Sequence, residues 1–267
     1  MAGRLAGKMA VVVGAGQTPG ETIGNGRATA ILFAREGASV LCVDRVLASA
    51  EETVAMIVDK GGTASAFQAD VTDEAQVQAT VAAAKERLGR IDILHNNVGI
   101  GRGDRSITQL EESDFERIID VNLKGMWLTI KHALPVMREQ GGGGSIVNIS
   151  SMAAVAASNL VAYGISKAGV NKLTRITAAA NTGHMIRCNC IMPGLMDTPM
   201  AVGGRAATQG RPTDEIRAVR DAQVPLGRKM GTAWDVAYAA LFLASDEAKF
   251  VTGAILPVDG GMSAGVG

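Results

Sequence analysis

Tyr163 and Lys167 are the residues whose types and spacing most directly suggest chemistry. Side chains four positions apart lie on one face of a helix and can approach the same small volume. A free phenol has a pKa of about 10, and a nearby ammonium group lowers it and favours the phenolate. Such a tyrosine becomes a usable general acid or base. Taken alone, the spacing also fits a surface helix whose lysine reaches solvent. Motifs elsewhere in the chain are needed to distinguish the two interpretations.

Two serines precede this helix. The alternating, β-branched segment 145–149 predicts a strand that runs into Ser150 and Ser151, and Tyr163 begins a stretch with helical spacing. A serine at the strand end would face the tyrosine. Its hydroxyl could hold a carbonyl or alcohol oxygen beside the phenol as a hydrogen-bond donor.

Strands and helices alternate along the whole chain. The predicted strands are 9–13, 38–43, 63–68, 91–95, 145–149, 185–191 and 254–258. The predicted helices are 27–36, 47–60, 73–88, 111–138, one that includes Tyr163, and two shorter ones before the last strand. This alternation predicts an α/β Rossmann fold, a doubly wound seven-stranded parallel sheet with helices on both faces. Ligands in that architecture bind beyond the carboxyl ends of the strands.

A glycine-rich loop follows the first predicted strand. Gly14 and Gly16 come directly after the strand, and Gly24 and Gly26 open the first helix. Bare backbone at a helix N-terminus could approach a pyrophosphate, although a plain turn is the alternative.

Polar residues end the next three predicted strands. Asp44 ends the second strand and stands about as far beyond Gly26 as a ribose-binding carboxylate should, although a solvated aspartate is the alternative. Asp70 and Val71 end the third strand, and the Asn-Asn-Val-Gly run at 96–99 ends the fourth. The polar side chains and open backbone at the ends of the third and fourth strands could flank an adenine.

The composition bounds the class of protein. The chain has 267 residues, 47% of them hydrophobic, and no linker-like stretch, so one domain spanning 1–267 is predicted. Basic and acidic residues number 26 each without a basic block, which gives no support to a nucleic-acid or membrane-surface partner. No run approaches the roughly 18 residues of a membrane span, and 9–13 is too short for a signal peptide. A cytoplasmic protein is predicted.

The cysteines and histidines suggest no metal site. Cys42, Cys188 and Cys190 all lie in predicted strands, and an odd number without metal-ligand spacing predicts reduced core thiols. The histidines lie in unrelated segments and are predicted to be structural. They are His95, His132 and His184.

Jointly, these motifs resemble those of the short-chain dehydrogenase/reductase family, in its short single-domain branch, over about residues 7–262. The resemblance rests on the loop at 14–26, Asp70-Val71, the run at 96–99, Asn122 in Val-Asn-Leu, Ser150-Ser151, Tyr163 with Lys167, Pro193-Gly194 with Thr198, Val-Thr-Gly at 251–253 and Asp-Gly-Gly at 259–261.

The resemblance implies a nicotinamide-dependent oxidoreductase. Tyr163 would exchange the proton and Ser151 would orient the substrate. Lys167 would bind the nicotinamide ribose and tune the tyrosine, and Asn122 would help a water-linked proton relay. The implied coenzyme contacts are Gly14, Gln17, Asn25, Asp44, Asp70, Val71, Asn97, Gly99, Tyr163, Lys167, Pro193, Gly194 and Thr198. A homotetramer built on the long helices after strands four and five is implied in the same way.

The chain departs from the family pattern in its glycine loop. The family normally places about three residues between the first glycine and the Gly-x-Gly pair, whereas nine separate Gly14 from Gly24, and Val13 replaces the usual threonine. The enoyl-reductase branch also has an altered loop, but it spaces its tyrosine and lysine seven apart. Val170 stands at that position here, so double-bond reduction is disfavoured.

The segment between serine and tyrosine is one residue shorter than is common in the family. Ser150 and Ser151 therefore compete for the substrate role. The Asn-Ile-Ser-Ser anchor favours Ser151.

Three functional hypotheses follow. The first is an NAD-dependent dehydrogenase of a secondary alcohol, and the second is an NADPH-dependent reductase of 3-oxoacyl thioesters. Asp44 favours the first, because a carboxylate can bind the ribose hydroxyls of NAD and would repel the 2′-phosphate of NADP. The third is a non-catalytic dinucleotide-binding sensor, for which an intact set of catalytic residues has no evident use.

The substrate is not evident from the motifs. An apolar wall is suggested by Met152, Ala153, Val155 and Leu195. The stretch at about 195–215 is rich in Gly, Met and Thr and predicts a mobile substrate lid. The Arg-Gly-Asp-Arg stretch at 102–105 fits either a contact with an anionic substrate or a solvated loop.

Overall fold

The computed structural model describes residues 3–157 and 159–265. The main strands are β1 (Met9–Val13), β2 (Ser39–Asp44), β3 (Thr63–Gln68), β4 (Ile93–Asn96), β5 (Gly144–Ile149) and β6 (Ile186–Pro193). A two-residue pair, β7 (Met196–Asp197) and β8 (Gly231–Thr232), precedes the last strand, β9 (Ile255–Val258). The seven longer strands form one parallel sheet in the order β3-β2-β1-β4-β5-β6-β9. This confirms the predicted doubly wound fold.

Nine α-helices occur in the described part of the chain. They are α1 (Asn25–Arg35), α2 (Leu47–Val58), α3 (Glu74–Leu88), α4 (Glu112–Ile119), α5 (Gly125–Glu139), α6 (Val161–Ala179), α7 (Gly204–Gln209), α8 (Thr213–Asp221) and α9 (Ala233–Ala244). A π-helical turn, Asp120–Lys124, joins α4 to α5.

The helices cover both faces of the sheet. Alternate residues of β1 show this arrangement: Ala10 and Val12 pack with α1, α2 and α9, whereas Val11 and Val13 pack with α3, α5 and α6. A strand covered on both faces must be apolar throughout, which is why β1 lacks an alternating pattern. The strand order reverses between β1 and β4, and ligands bind beside that point in such sheets.

The predicted element boundaries differ from the structure mainly around two helical regions. The helix predicted over 111–138 is interrupted by the π-helical turn at Asp120–Lys124. Between β6 and β9 there are three helices rather than two shorter ones, since α9 is a full-length helix whose capping box joins Thr232 to Asp235. Both features depend on local hydrogen bonding that hydrophobic periodicity does not reveal.

The three cysteine thiols are buried in β2 and β6, as their sequence context predicted. Burial raises the pKa of Cys42 and of Cys190 to about 12, so both stay protonated at neutral pH. Within the described residues, no helix combines the length and apolar character needed to cross a bilayer.

Candidate active site

Tyr163 and Lys167 lie in the first two turns of α6, beyond the carboxyl end of β5. Lys167 is only 2% exposed, and its Nζ donates a hydrogen bond of 2.9 Å to the carbonyl of Ile149, the last residue of β5. The same ammonium group lies 5.6 Å from the centroid of the Tyr163 ring. The helical spacing therefore brings the two side chains into one small volume.

Burial controls the protonation of both groups. It lowers the pKa of Lys167 to about 8. It also raises the pKa of Tyr163, and a hydrogen bond with Ser151 opposes that rise. The expected lowering of the tyrosine pKa by Lys167 is not seen, because the ammonium donates to the Ile149 carbonyl and desolvation favours the neutral form of each group.

Ser150 and Ser151 have different surroundings. Ser150 is buried, and its Oγ donates to the main-chain carbonyl of Lys167 at 3.0 Å, which fastens α6 to the strand end. Ser151 is half-buried, its Oγ accepts from the N–H of Ala153 at 3.2 Å, and its side chain hydrogen-bonds Tyr163. The serine that faces the phenol is therefore Ser151.

Asn122 is fully buried in the π-helical turn between α4 and α5. Its Oδ1 accepts from the N–H of Ile100 at 2.7 Å, and its Nδ2 donates to the carbonyl of Ile100 at 2.9 Å. Nδ2 also donates to Ser166 Oγ at 3.1 Å. Asn122 thus joins the loop after β4 to α6, close to the tyrosine and lysine.

The glycine loop brings three backbone segments close together. A Cβ atom on Gly26 would lie 1.9 Å from the carbonyl oxygen of Gly14 and 2.6 Å from Asn97 Nδ2, so no side chain fits there. Asn97 Nδ2 donates to that carbonyl at 3.1 Å. Gly14 has a φ of +83°, a conformation that glycine adopts readily. The loop, the start of α1 and the end of β4 therefore meet at the reversal of strand order.

Within the nine-residue segment between Gly14 and Gly24, the side chain of Gln17 bonds back to the main chain at the end of the segment. Gln17 Oε1 accepts from the N–H of Gly24 at 2.9 Å, and the N–H of Gln17 donates to Ser49 Oγ at 2.9 Å. Gln17 therefore shapes the loop. Asn25 begins α1, and its Oδ1 is buried without a hydrogen-bond partner in the part of the chain that the structure describes. Free N–H groups at a helix start and an unpartnered acceptor suit the phosphates and hydroxyls of a dinucleotide.

Asp44 lies at the end of β2 and contacts the same loop. Its Oδ2 accepts from the N–H of Gly16 at 3.0 Å, and its Oδ1 accepts from the N–H of Val46 at 3.1 Å. A Cβ atom on Gly16 would stand 2.8 Å from the carboxylate. Arg45 is exposed beside it. The carboxylate is therefore fixed at the loop, whereas the neighbouring guanidinium extends from the surface.

A buried network behind this carboxylate was not predicted from the sequence. Arg27 is 4% exposed, and its guanidinium donates to Thr53 Oγ1 at 2.9 Å and to Ser49 Oγ at 3.2 Å. It also pairs with Glu52 at 2.8 Å, and Ser49 Oγ donates to the carbonyl of Gln17 at 3.1 Å. The available signal was a single charged residue among the small and apolar residues that begin α1.

Three further residues that were predicted to contact the coenzyme follow β3 and β4. Asp70 Oδ1 accepts from the N–H and the hydroxyl of Thr72 at 2.9 and 2.7 Å. Val71 is buried against Gly125, where a Cβ atom would lie 2.6 Å from the valine Cγ2. Gly99 lies beside the lysine, since a Cβ atom there would stand 3.1 Å from Lys167 Nζ.

Pro193 and Gly194 lie at the end of β6, where the main chain packs closely against the end of β9. The N–H of Gly194 donates to the carbonyl of Val258 at 3.0 Å, and a Cβ atom on Gly194 would lie 2.7 Å from Asp259 Cα. Thr198 is buried and caps the π-helical turn Pro199–Gly203 by accepting from the N–H of Ala201 at 3.4 Å.

The stretch predicted as a lid is helical and has its own small core. Val202 and Ala206 of this stretch form a separate apolar cluster with Ile216, Val224 and Met230, which follow it in the chain. Arg217 of α8 pairs with Asp197 at 3.3 Å and with Glu21 of the expanded glycine loop at 3.0 Å. A Cβ atom on Gly20 would lie 2.8 Å from the ring of Pro199. The expanded loop and the lid stretch are therefore in contact.

The suggested apolar wall is partly accessible: Met152, Ala153 and Leu195 are half-buried and Val155 is exposed. Arg102 and Arg105 are exposed, in keeping with a solvated loop. Asp104 differs from that expectation, because its carboxylate binds main-chain N–H groups at the start of α6.

Comparisons with known proteins agree with this geometry. A family model described as Enoyl-(Acyl carrier protein) reductase matches residues 21–263. Cis-4-hydroxycyclohexanecarboxylate dehydrogenase of Sinomonas cyclohexanicum is 39% identical over 97% of this chain and 98% of its own length. The 3-oxoacyl-[acyl-carrier-protein] reductase FabG of Thermotoga maritima is 36% identical over 97% of this chain and 99% of its own.

A solved structure is similar over the same length. Carveol dehydrogenase from Mycobacterium avium, in complex with NAD, superimposes with a TM-score of 0.90 at 32% identity, covering 98% of this chain and 99% of that one. Together with the fold and the Tyr163–Lys167 pair, these similarities show that the chain belongs to the short-chain dehydrogenase/reductase family of nicotinamide-dependent oxidoreductases.

Proposed function

We propose that this enzyme transfers a hydride between NAD(H) and a secondary alcohol or the corresponding ketone. The observation that carries the proposal is the convergence of Tyr163, Lys167 and Ser151 beyond β5, where the Ser151 side chain is hydrogen-bonded to the phenol. A relative at 39% identity is named as a dehydrogenase of a hydroxycyclohexane carboxylate, which supports a ring-bearing secondary alcohol as the substrate class.

In the proposed reaction, the substrate oxygen lies between Ser151 and Tyr163. Ser151 donates a hydrogen bond that holds this oxygen, and Tyr163 takes the hydroxyl proton during oxidation or returns it during reduction. The bound nicotinamide supplies the hydride acceptor or donor. The Lys167 ammonium binds the Ile149 carbonyl and does not lower the pKa of Tyr163 in the absence of coenzyme. Its proposed part in favouring the phenolate therefore belongs to the enzyme with coenzyme bound.

Asn122 has a proposed role in moving the proton onward. Its side chain is used by Ile100 and Ser166, so its contribution to a water-linked relay would come from the backbone of the π-helical turn. Such turns alter the regular helical hydrogen bonding and occur frequently at functional sites.

The chain's own residues fit the coenzyme along the carboxyl edge of the sheet. The residues proposed to hold it are Gly14, Gln17, Asn25, Asp44, Asp70, Val71, Asn97, Gly99, Tyr163, Lys167, Pro193, Gly194 and Thr198. Two observations support the placement: the close approach of Gly26 to Gly14 leaves bare backbone at the helix start, and the Oδ1 atom of Asn25 is buried without a partner among the described residues.

We propose NAD rather than NADP because Asp44 is held at the loop by Gly16 and Val46. A 2′-phosphate at this position would meet a fixed carboxylate, whereas the exposed Arg45 can turn to solvent. A like-charge clash of roughly 2–3 kcal/mol corresponds to about 30- to 150-fold discrimination. Measuring kcat/KM with both coenzymes for wild type and Asp44→Ser tests this. A wild-type enzyme that favours NADP would instead support reduction of 3-oxoacyl thioesters, the reaction named for the FabG relative.

The catalytic assignment is tested by Tyr163→Phe. This variant should lose turnover of cyclohexanol or of another alcohol that the wild type oxidises, and keep its dissociation constant for NADH within a few-fold, because only the proton carrier is removed. Near-normal turnover would refute the assignment. A wild-type protein that binds NADH but turns over no alcohol, ketone or 3-oxoacyl thioester would indicate a dinucleotide sensor.

We further propose that the chain is one domain whose lid is about 195–215, and that four copies assemble. Large apolar side chains exposed on α4, α5 and α6 support an assembly surface there. They are Phe115, Trp127, Ile165 and Ile176. Sedimentation velocity tests the oligomeric state, and a monomer at micromolar concentration would contradict it.

A further inference from the structure

We propose that Asp104 is a positioning residue for the catalytic tyrosine, acting through the helix that carries it. The inference rests on the proposed role of Tyr163. Asp104 lies in the loop after β4, and its carboxylate spans the first turn of α6. Oδ1 accepts from the N–H of Ala162 at 3.1 Å, and Oδ2 accepts from the N–H of Tyr163 itself at 2.8 Å.

The Asp104 carboxylate supplies hydrogen-bond acceptors that the start of α6 lacks locally. The first N–H groups of any helix lack intrahelical acceptors, and a side chain directly before the helix often supplies one. Here that position is Leu160, whose side chain has no acceptor atom, and the cap comes from 58 residues away. A carboxylate at a helix N-terminus also interacts favourably with the helix dipole.

The main chain of Tyr163 is held on both sides. Asp104 binds its N–H group, and Ser166 Oγ donates to its carbonyl at 2.7 Å. Ser166 Oγ accepts in turn from Asn122, which binds both main-chain atoms of Ile100. Ile100 and Asp104 belong to the same loop, so these bonds form a closed circuit through the tyrosine.

The same loop touches the reactive side chains directly. A Cβ atom on Gly99 would stand 3.1 Å from Lys167 Nζ, and one on Gly101 would stand 3.6 Å from the Tyr163 ring. Releasing the Asp104 end of the loop therefore frees the tyrosine to move relative to Lys167 and Asn122. Displacements of about 1 Å at a reacting group can reduce rates by about 100-fold.

The test compares two aspartates that make the same kind of cap. Asp73 Oδ1 accepts from the N–H groups of Ala75 and Gln76, at 2.9 and 3.2 Å, at the start of α3. Asp104→Ala and Asp73→Ala each remove a two-bond cap, but only the first cap touches the tyrosine. The purified full chain is assayed for oxidation of cyclohexanol, with and without deuterium on the carbinol carbon, or of another secondary alcohol if the wild type does not accept it.

Asp104→Ala should lower kcat about tenfold, leave the NADH dissociation constant within about twofold, and raise the primary deuterium isotope effect on kcat, because the chemical step becomes slower. Asp104→Asn keeps one acceptor oxygen and should recover much of the loss. Asp73→Ala should keep kcat within about twofold of wild type at a comparable loss of thermal stability.

A second readout needs no turnover. The chain has two tyrosines, so a Tyr238→Phe background leaves Tyr163 as the only phenol that titrates in the ultraviolet. Asp104→Ala should lower the apparent pKa of Tyr163, because it removes a nearby negative charge and loosens a desolvated position. Asp73→Ala should leave it unchanged.

Unchanged kcat and phenol titration in Asp104→Ala would overturn the proposal. Equal losses in both alanine variants, or a loss confined to NADH affinity, would do the same and indicate a purely structural cap. A different result would contradict the proposed function itself, namely turnover that persists in Tyr163→Phe.

Discussion

Lys167 is a charged side chain held in a nearly fully buried place, and that burial weakens the fold. Its pKa falls from 10.5 to about 8, a shift worth roughly 3 kcal/mol against the protonated form. The hydrogen bond to the Ile149 carbonyl offsets part of this cost. The lysine is thus retained at the expense of stability, as is common for groups that serve a reaction.

Replacing Lys167 by Met should therefore abolish turnover and raise the free energy of unfolding at pH 7 by about 1–2 kcal/mol. Between pH 8 and 10.5 the unfolded chain binds more protons than the folded one, so wild-type stability rises with pH there. The gain of the variant should be full below pH 8 and fade toward pH 10.5. Urea unfolding across this range measures it, with Lys172→Met, an exposed lysine of the same helix, as the control.

The two serines after β5 should separate activity from stability. Ser151→Ala should lower kcat by about 100-fold, because it removes a donor to the substrate oxygen. Ser150→Ala should instead cost about 1 kcal/mol of stability, because it breaks the bond to the Lys167 carbonyl. Steady-state assays at saturating coenzyme together with urea unfolding distinguish the two. Equal losses of kcat would mean that Ser151 has no special role.

At the scale of elements, the expanded glycine loop and the lid stretch meet through Arg217. This guanidinium pairs with Glu21 of the loop, with Asp197 and with Asp214. Gly20 also lies against Pro199, so the two segments are in contact next to the loop that we propose binds the coenzyme pyrophosphate. Coenzyme release should therefore require that this contact opens.

Arg217→Met should speed NADH dissociation by about three- to fivefold, since an exposed ion pair is worth at most about 1 kcal/mol. Raising the salt concentration should have a similar effect on the wild type. Stopped-flow displacement of NADH measures the rate. Arg211→Met is the matched control, because Arg211 pairs only with Glu215 among the described residues. If Arg211→Met released NADH as fast as Arg217→Met does, the contact between the glycine loop and Arg217 would not be what slows release.

At the scale of the whole molecule, acid stability should depend on His95 in the central strand β4. This side chain is fully buried, its ring packs edge-on against Phe33 at 6.0 Å, and neither ring nitrogen has a partner among the described residues. Burial lowers its pKa from 6.5 to about 3. The unfolded chain therefore binds more protons between these values, and stability falls as the pH drops below 6.5.

His95→Leu has a similar volume and should remove this dependence. We expect the variant to gain about 1 kcal/mol at pH 7, where an unpartnered polar group is removed, and several-fold more near pH 4.5. His184→Asn, at an exposed histidine, should show neither change. Unfolding by urea at both pH values provides the measurement. Parallel pH profiles for His95→Leu and wild type would contradict the argument.

Local patterns in the sequence determined the fold class and predicted which residues belong to the candidate site. Apolar runs of strand length and helical stretches between them predicted all seven strands of the main sheet, and β3 has the predicted bounds. Because carboxyl ends of parallel strands share one edge, residues such as Asp44, Asn97 and Ser151 could be assigned to a common site without knowing any distance.

The tertiary structure decided what depends on direction and on distant partners. Sequence spacing left Ser150 and Ser151 in competition, and only the twist of the chain beyond β5 turns one toward Lys167 and the other toward Tyr163. Burial set the pKa of the lysine and of the phenol, which no spacing specifies. The cap from Asp104 and the ion pair of Glu21 with Arg217 join residues far apart in the chain, so they exist only once the sheet has assembled.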